Sequence, residues 1–180
     1  MTEINSASGS KQVLSKNQIL GLGILSLILV VVLFAFLNRP TEGLQEGKIV
    51  LTAGDNKLAV LTLDDLKKLP AVQKKMTIHT SRGNEEHEYT MTSLLDVLNG
   101  ADPKLTAGYA RIVTKGIDNY TSGVNMAEVL EPDNVYIAYL DHSQLLKTKS
   151  GQDGSLQIVI CNDPNGQRFT KFLVSIDLQN

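Results

Sequence analysis

The sequence predicts a strand-dominated α+β domain preceded by one membrane-spanning helix. From Lys48 onward, short runs rich in Val, Ile, Leu, Thr and Tyr alternate with turns containing Gly, Asn and Asp, and the helical stretches between them are short. Helices of that length cannot serve as crossovers in a parallel βαβ sheet, which leaves a mixed sheet with helices beside it. The third observation is an uncharged run from Ile19 to Leu37 that sets this domain behind an apolar helix.

Taken in order, residues 1–18 are polar and rich in Ser and Asn, the composition of a disordered tail. Residues 19–37 read ILGLGILSLILVVVLFAFL, close to the roughly 20 residues that a helix needs to cross a bilayer core. A secretory signal peptide has a shorter apolar region and small residues set for cleavage. This run instead follows a long polar tail and ends FAFLNRP, so an uncleaved anchor is expected. The absence of cysteine near the run argues against lipidation. Lys11 and Lys16 before it and Arg39 and Lys48 after it give only a weak orientation bias. The tail cannot fold alone, so the expectation is a cytoplasmic N-terminus and an extracytoplasmic domain. Residues 38–47 are expected to be a linker, and residues 48–180 the domain.

Within the domain, KIVLTA and KLAVLTL flank the turn Gly54-Asp55-Asn56 as a hairpin. Thr62 followed by Asp65 resembles a capping box, and Leu63, Leu66 and Leu69 share a helix face that Pro70 ends. A strand covers Met76–Thr80, and the charged stretch HTSRGNEEHEY reads as a solvated loop. SLLDVLNG is a short helix stopping at Gly100, ARIVTKG a strand, and Asn125 with Glu128 opens the helix NMAEVLE. VYIAYL, SLQIVIC and FLVSIDL complete the strands.

The 180-residue chain has a net charge of -2 with scattered Lys and Arg, which argues against nucleic-acid binding. Its one cysteine, Cys161, permits no internal disulfide, so burial alone must hold the domain together. No Walker loop, dinucleotide fingerprint or Ser-His-Asp arrangement is present. His79 and His87 among Glu85, Glu86 and Glu88 match no specific metal-ligand spacing, and no metal site is assigned.

The words GIDNY, VYIAYL, GSLQIVI and GQRFTKFL, in that order, resemble the C-terminal half of the sulfite-oxidase-type molybdopterin-binding oxidoreductase domain. The likeness extends upstream through LTLDDLKKLP and YTMTSLLDVL. It implies a sulfite-oxidase-type fold and molybdopterin as cofactor. At the position where the family's cysteine thiolate ligates molybdenum, this chain has Thr80, followed by the retained Gly83-Asn84 turn. A hydroxyl does not replace a soft thiolate. The resemblance places Tyr120 in a substrate pocket, with Asp118 and Gly116 in the preceding turn and Asn119 where the family has glycine. It assigns Arg168 and Lys171 to the pterin phosphate, for which cations and turn amides are the physical requirement. The family's second basic anchor aligns with Gln157, and its histidine with Gln152.

Two readings follow. One is a non-catalytic ligand-binding or accessory module that expects no cofactor and presents itself to a membrane or envelope protein partner. The other is a molybdopterin-dependent oxidoreductase passing electrons to a membrane partner, because the chain has no haem motif or cluster cysteines. Whether the protein is an enzyme stays open at this level.

Overall fold

The computed structural model describes residues 16–37 and 43–180. Two compact units divide at Glu42 and Gly43. In the first, helix α1 spans Lys16–Leu37, 22 residues, or about 33 Å at the usual rise. Its large apolar side chains from Leu20 to Phe34 are exposed. Among the described residues, no helix is long and apolar enough to cross a membrane. Most of the expected tail, and residues 38–42 of the expected linker, lie outside the described residues.

The second unit, Gly43–Asn180, begins with a hairpin of β1 (Lys48–Ala53) and β2 (Asn56–Thr62), and its turn carries Gly54 at a positive φ of 59°. Helix α2 (Leu63–Leu66) starts at the expected capping box: Asp65 N donates to Thr62 Oγ1, and Thr62 N donates to Asp65 Oδ2. Strands β3 (Ala71–Thr80) and β4 (Gly83–Ser93) then pair along their whole length, and α3 (Leu94–Ala101) and α4 (Leu105–Gly108) follow. After β5 (Arg111–Gly116) and β6 (Thr121–Asn125), Glu128 Oε2 accepts the Asn125 N–H at the start of α5 (Met126–Leu130). The remaining strands are β7 (Val135–Asp141), β8 (Gln144–Leu145), β9 (Gln157–Ile160) and β10 (Leu173–Gln179).

These strands make two sheets. One has the order β2-β1-β10-β5-β6, with β1 and β10 parallel and the other pairs antiparallel. The other runs β3-β4-β7, and β8 and β9 both pair with β7. Ile49, Leu51, Ile112 and Ile176 from the first sheet and Met91, Ile137, Ile158 and Ile160 from the second belong to one core. Each such side chain contributes about 1.5–3 kcal/mol when fully buried. The mixed, strand-rich α+β class expected from the sequence is the class observed.

Several local expectations change. The charged stretch HTSRGNEEHEY is no loop: it is the end of β3, a two-residue turn and the start of β4. Strand β7 joins β4 only from Tyr89 to Ser93, so Gly83–Glu88 and its β3 partners form a two-stranded arm. On the β4 side of the arm residues 83–86 are all exposed, which removes the burial alternation by which strands are recognised. Helix α3 continues through Gly100 to Ala101, and β9 covers only QIVI of the expected longer strand. The end of the expected linker packs on the second unit, where Glu46 Oε1 accepts the Lys149 N–H at 2.6 Å.

Candidate functional site

The segment between β9 and β10 organises the site. Thr170 is fully buried, its hydroxyl 2.6 Å from that of Thr114 on β5, and its carbonyl accepts the Ile158 N–H. Leu173 N donates to Leu156 O. Held on both sides, the chain between them presents Lys171 and puts Phe172 at φ 52°, a left-handed conformation that a bulky residue rarely adopts. The Phe172 carbonyl accepts the Ile117 N–H, which ties this segment to the turn after β5.

That turn carries the GIDNY word. Gly116 N donates to Tyr120 O, Asn119 N donates to Gly116 O, and Asp118 Oδ1 accepts the Tyr120 N–H at 3.1 Å. Asn119 adopts φ 69°, a left-handed conformation that Asn tolerates better than most residues. A Cβ on Gly116 would lie 2.6 Å from both Lys171 O and Asp118 Oδ1, so the close approach of the two segments requires glycine there. The Tyr120 hydroxyl donates to the Gln167 carbonyl. Asp118, Tyr120, Gly166, Gln167, Phe169 and Lys171 line an open cavity of about 270 Å³.

Lys171 also lines a second cavity of about 230 Å³, with Phe172, His87, Tyr89, Asp141, Leu146, Lys147, Ser155 and Gln157. His87 and Tyr89 lie two apart on β4 and share a face, with their rings stacked at 4.9 Å and 7°. Asp141 stands opposite Tyr89 in the ladder. Its Oδ2 is 2.7 Å from His87 Nδ1, and its Oδ1 accepts the Glu88 N–H at 3.0 Å and lies 2.9 Å from His142 Nδ1. Burial works to raise the Asp141 pKa. The His87 and Glu88 hydrogen bonds, with the charges of His87 and His142, outweigh it and hold the carboxyl below its ordinary value. Burial and then the Asp141 charge push the Tyr89 phenol well above its ordinary value. The Gln157 amide lies near enough to oppose that shift but without hydrogen-bond geometry, and its Nε2, in a residue only 6 % exposed, has no partner.

The structure therefore brings Asp118, Tyr120 and Lys171 to one cavity and places Thr80 and Arg168 elsewhere. Thr80 ends β3 at the tip of the arm. Its Oγ1 lies 3.0 Å from Gly83 O and 3.1 Å from Glu85 Oε1, accepts the Arg82 N–H, and lines neither cavity. The Arg168 guanidinium pairs with Glu128 at 2.8 Å and reaches Asp163 at 3.6 Å. Cys161 is a half-buried free thiol whose pKa burial raises, a poor setting for a thiolate ligand. Among the described residues, no group of three or more His, Cys, Asp and Glu is disposed to hold a metal ion. Of the second cavity's wall, the sequence resemblance had picked out Lys171 and Gln157, whereas His87 and Tyr89 lay inside a run read as loop.

Molybdopterin, which the sequence resemblance implies, does not fit these residues. The ligand position offers a hydroxyl already bonded within its own turn, one expected phosphate cation is engaged by two carboxylates, and the other basic position is an amide. Each cavity is also below the roughly 300 Å³ at which sites for cofactor-sized ligands begin.

No family model and no curated protein matches the chain. Among solved structures, 23 chains match. One is the sulfane dehydrogenase SoxCD from Paracoccus pantotrophus, with a TM-score of 0.56 and 14 % identity, over 73 % of this chain and 38 % of that one. The present chain thus spans well under half the length of its neighbour. At that identity the likeness is one of fold, and it supports a fold related to that enzyme's for this strand-rich α+β domain.

Proposed function

We propose that residues 43–180 form a non-catalytic ligand-binding or accessory module on a sulfite-oxidase-type scaffold. In this reading, residues 19–37 hold it to a membrane on the extracytoplasmic side, where it meets a membrane or envelope protein partner. The observation that carries the module reading is the state of Thr80: the residue where the family's metal ligand belongs spends its hydroxyl on the tip of its own hairpin. The likeness to sulfane dehydrogenase supports the scaffold and leaves its activity with that enzyme. The anchor rests on the uncharged sequence 19–37.

The gathering of Asp118, Tyr120 and Lys171 on one cavity favours the second reading, a molybdopterin-dependent oxidoreductase passing electrons to a membrane partner. One experiment separates the two. The full-length chain is produced in a host that makes molybdenum cofactor, then analysed for molybdenum by elemental analysis and for released pterin by fluorescence. Absence of both from folded protein is the expected result. Near-stoichiometric metal and pterin would overturn the module reading and make Thr80 the first residue to substitute. Protease protection of the domain in sealed membrane vesicles tests the topology, and digestion of the domain from the cytoplasmic face would refute it.

A further inference from the structure

Strand β3 leaves one long side of its sheet open. It pairs with no strand other than β4, along a ladder that runs without a register shift from Ala71 opposite Thr92 to Thr80 opposite Gly83. Near its end, His79 N donates to Pro164 O, so this N–H points away from β4. Residues of an antiparallel ladder alternate between its two sides, so Ala71, Gln73, Lys75 and Thr77 direct their N–H and C=O groups the same way as His79. Among the described residues, none of these four makes a backbone hydrogen bond on that side, and all four are exposed. Such an edge is a template for another strand unless it is bulged, shortened or covered, and from Ala71 to Thr77 this one is none of these.

Its protection is charge. Lys74 and Lys75 sit at its middle, and β3 contains no Asp or Glu. Lys74 Nζ donates to the Asp133 carbonyl at 3.2 Å, and among the described residues no carboxylate lies within ion-pair distance of it. Lys75 stands 4.0 Å from Glu88, with the two side chains 81 % and 41 % exposed, a surface pair that contributes little. The acidic side chains Glu85, Glu86 and Glu88 all belong to β4. A strand laid on the open edge would lie two strand spacings from β4, about 10 Å, with the lysines of β3 between. A second copy paired antiparallel about the centre of this edge would set Lys74 against Lys74 or Lys75 against Lys75, and like charges directly opposite are unfavourable. The same charges favour a strand that carries carboxylates.

We infer that β3 takes up an extended acidic segment of a protein partner as an added strand, with its backbone on the open groups of Ala71–Thr77 and its carboxylates beside Lys75. Main-chain hydrogen bonds supply the affinity in this mode of recognition and the side chains supply the choice of partner. Alternation along the added strand puts acidic residues on the Lys75 face and apolar ones on the face of Val72, an exposed apolar side chain, and half-buried Met76. This inference rests on the accessory-module reading above and names the surface at which the partner is met.

The test uses the isotope-labelled full-length chain in detergent micelles, titrated with a blocked eight-residue peptide of alternating glutamate and valine. Its lysine-valine counterpart and a glutamate-valine peptide N-methylated at alternate positions are titrated in parallel. Heteronuclear NMR follows the backbone amides of Gln73, Lys75 and Thr77. The acidic peptide is expected to shift them saturably and slow their hydrogen exchange, the basic one to bind about tenfold more weakly, and the N-methylated one to lose the exchange protection. Lys75→Glu, at an exposed position, is expected to weaken the acidic peptide about fivefold and to strengthen the basic one. No saturable shift at these amides, equal binding of acidic and basic peptides, or indifference to K75E would each overturn the inference. So would exchange protection of the same amides that grows with protein concentration in the absence of peptide, which would give the edge to a second copy. Failure here is distinguishable from failure of the module reading, because pterin and molybdenum are read by the separate elemental and fluorescence assays.

Discussion

Replacing Gln157 by methionine should stabilise this protein. The side chain is almost wholly buried and its Nε2 is unpartnered, a condition that costs about 1–3 kcal/mol relative to a satisfied or apolar group. Methionine has nearly the same length, no polar atom and enough flexibility to fit an irregular wall. A volume-conserving exchange of this kind costs less than about 1.5 kcal/mol. The difference leaves a net gain of about 1 kcal/mol, which for a domain of this size raises Tm by about 3–4 °C. Thermal unfolding followed by circular dichroism measures it, with Thr92→Val as a reference. Thr92 is fully buried with an unpartnered Oγ1 and lines neither cavity, so its replacement should also stabilise by about 1 kcal/mol. A Q157M protein that melts several degrees lower while T92V melts higher would refute the reasoning, because it would mean that the Gln157 amide is satisfied within the folded chain.

Further consequences follow from the same geometry. Gly116→Ala places a methyl group 2.6 Å from the Lys171 carbonyl and should cost about 1–3 kcal/mol in urea unfolding, and a cost near zero would mean that the two segments move apart freely. Asp141→Asn removes the charged partner of His87 and should cost about 1–2 kcal/mol at neutral pH. Because the folded Asp141 pKa is depressed below 3.8, its contribution is present above that value and lost as pH falls through the folded pKa; the D141N and wild-type stability curves should converge there, and parallel curves to the lowest pH would argue against the pair. Arg168→Gln breaks a partly exposed bridge to Glu128 and should cost only about 0.5–1 kcal/mol by chemical denaturation, whereas a loss of several kcal/mol would reveal a more deeply buried role.

How legible each part was depended on the range of the interactions behind it. Thr62 with Asp65 and Asn125 with Glu128 announced their helix starts, because a cap acts across a few neighbouring residues. The first hairpin was readable for the same reason. The β4 half of the arm was not, since residues 83–86 are all exposed and carry no burial alternation. Between β7 and β8, His142 and Ser143 take positive φ values of 48° and 62° without the Asn-Gly pair that usually marks such a turn.

The sequence by itself determined the strand-rich α+β class, the uncharged run 19–37, the local caps and turns, and the absence of a thiolate at Thr80. Only the tertiary structure decided that Lys171 lines both cavities, that Arg168 is paired with Glu128, and that Gln157 borders a cavity with its donor unpartnered. Propensity, capping and turn chemistry act between near neighbours and leave their mark in the order of residues. The partner of a guanidinium or the orphaning of an amide is set by groups brought together from 40 residues away or by how distant segments pack around one strand, and no local pattern records it.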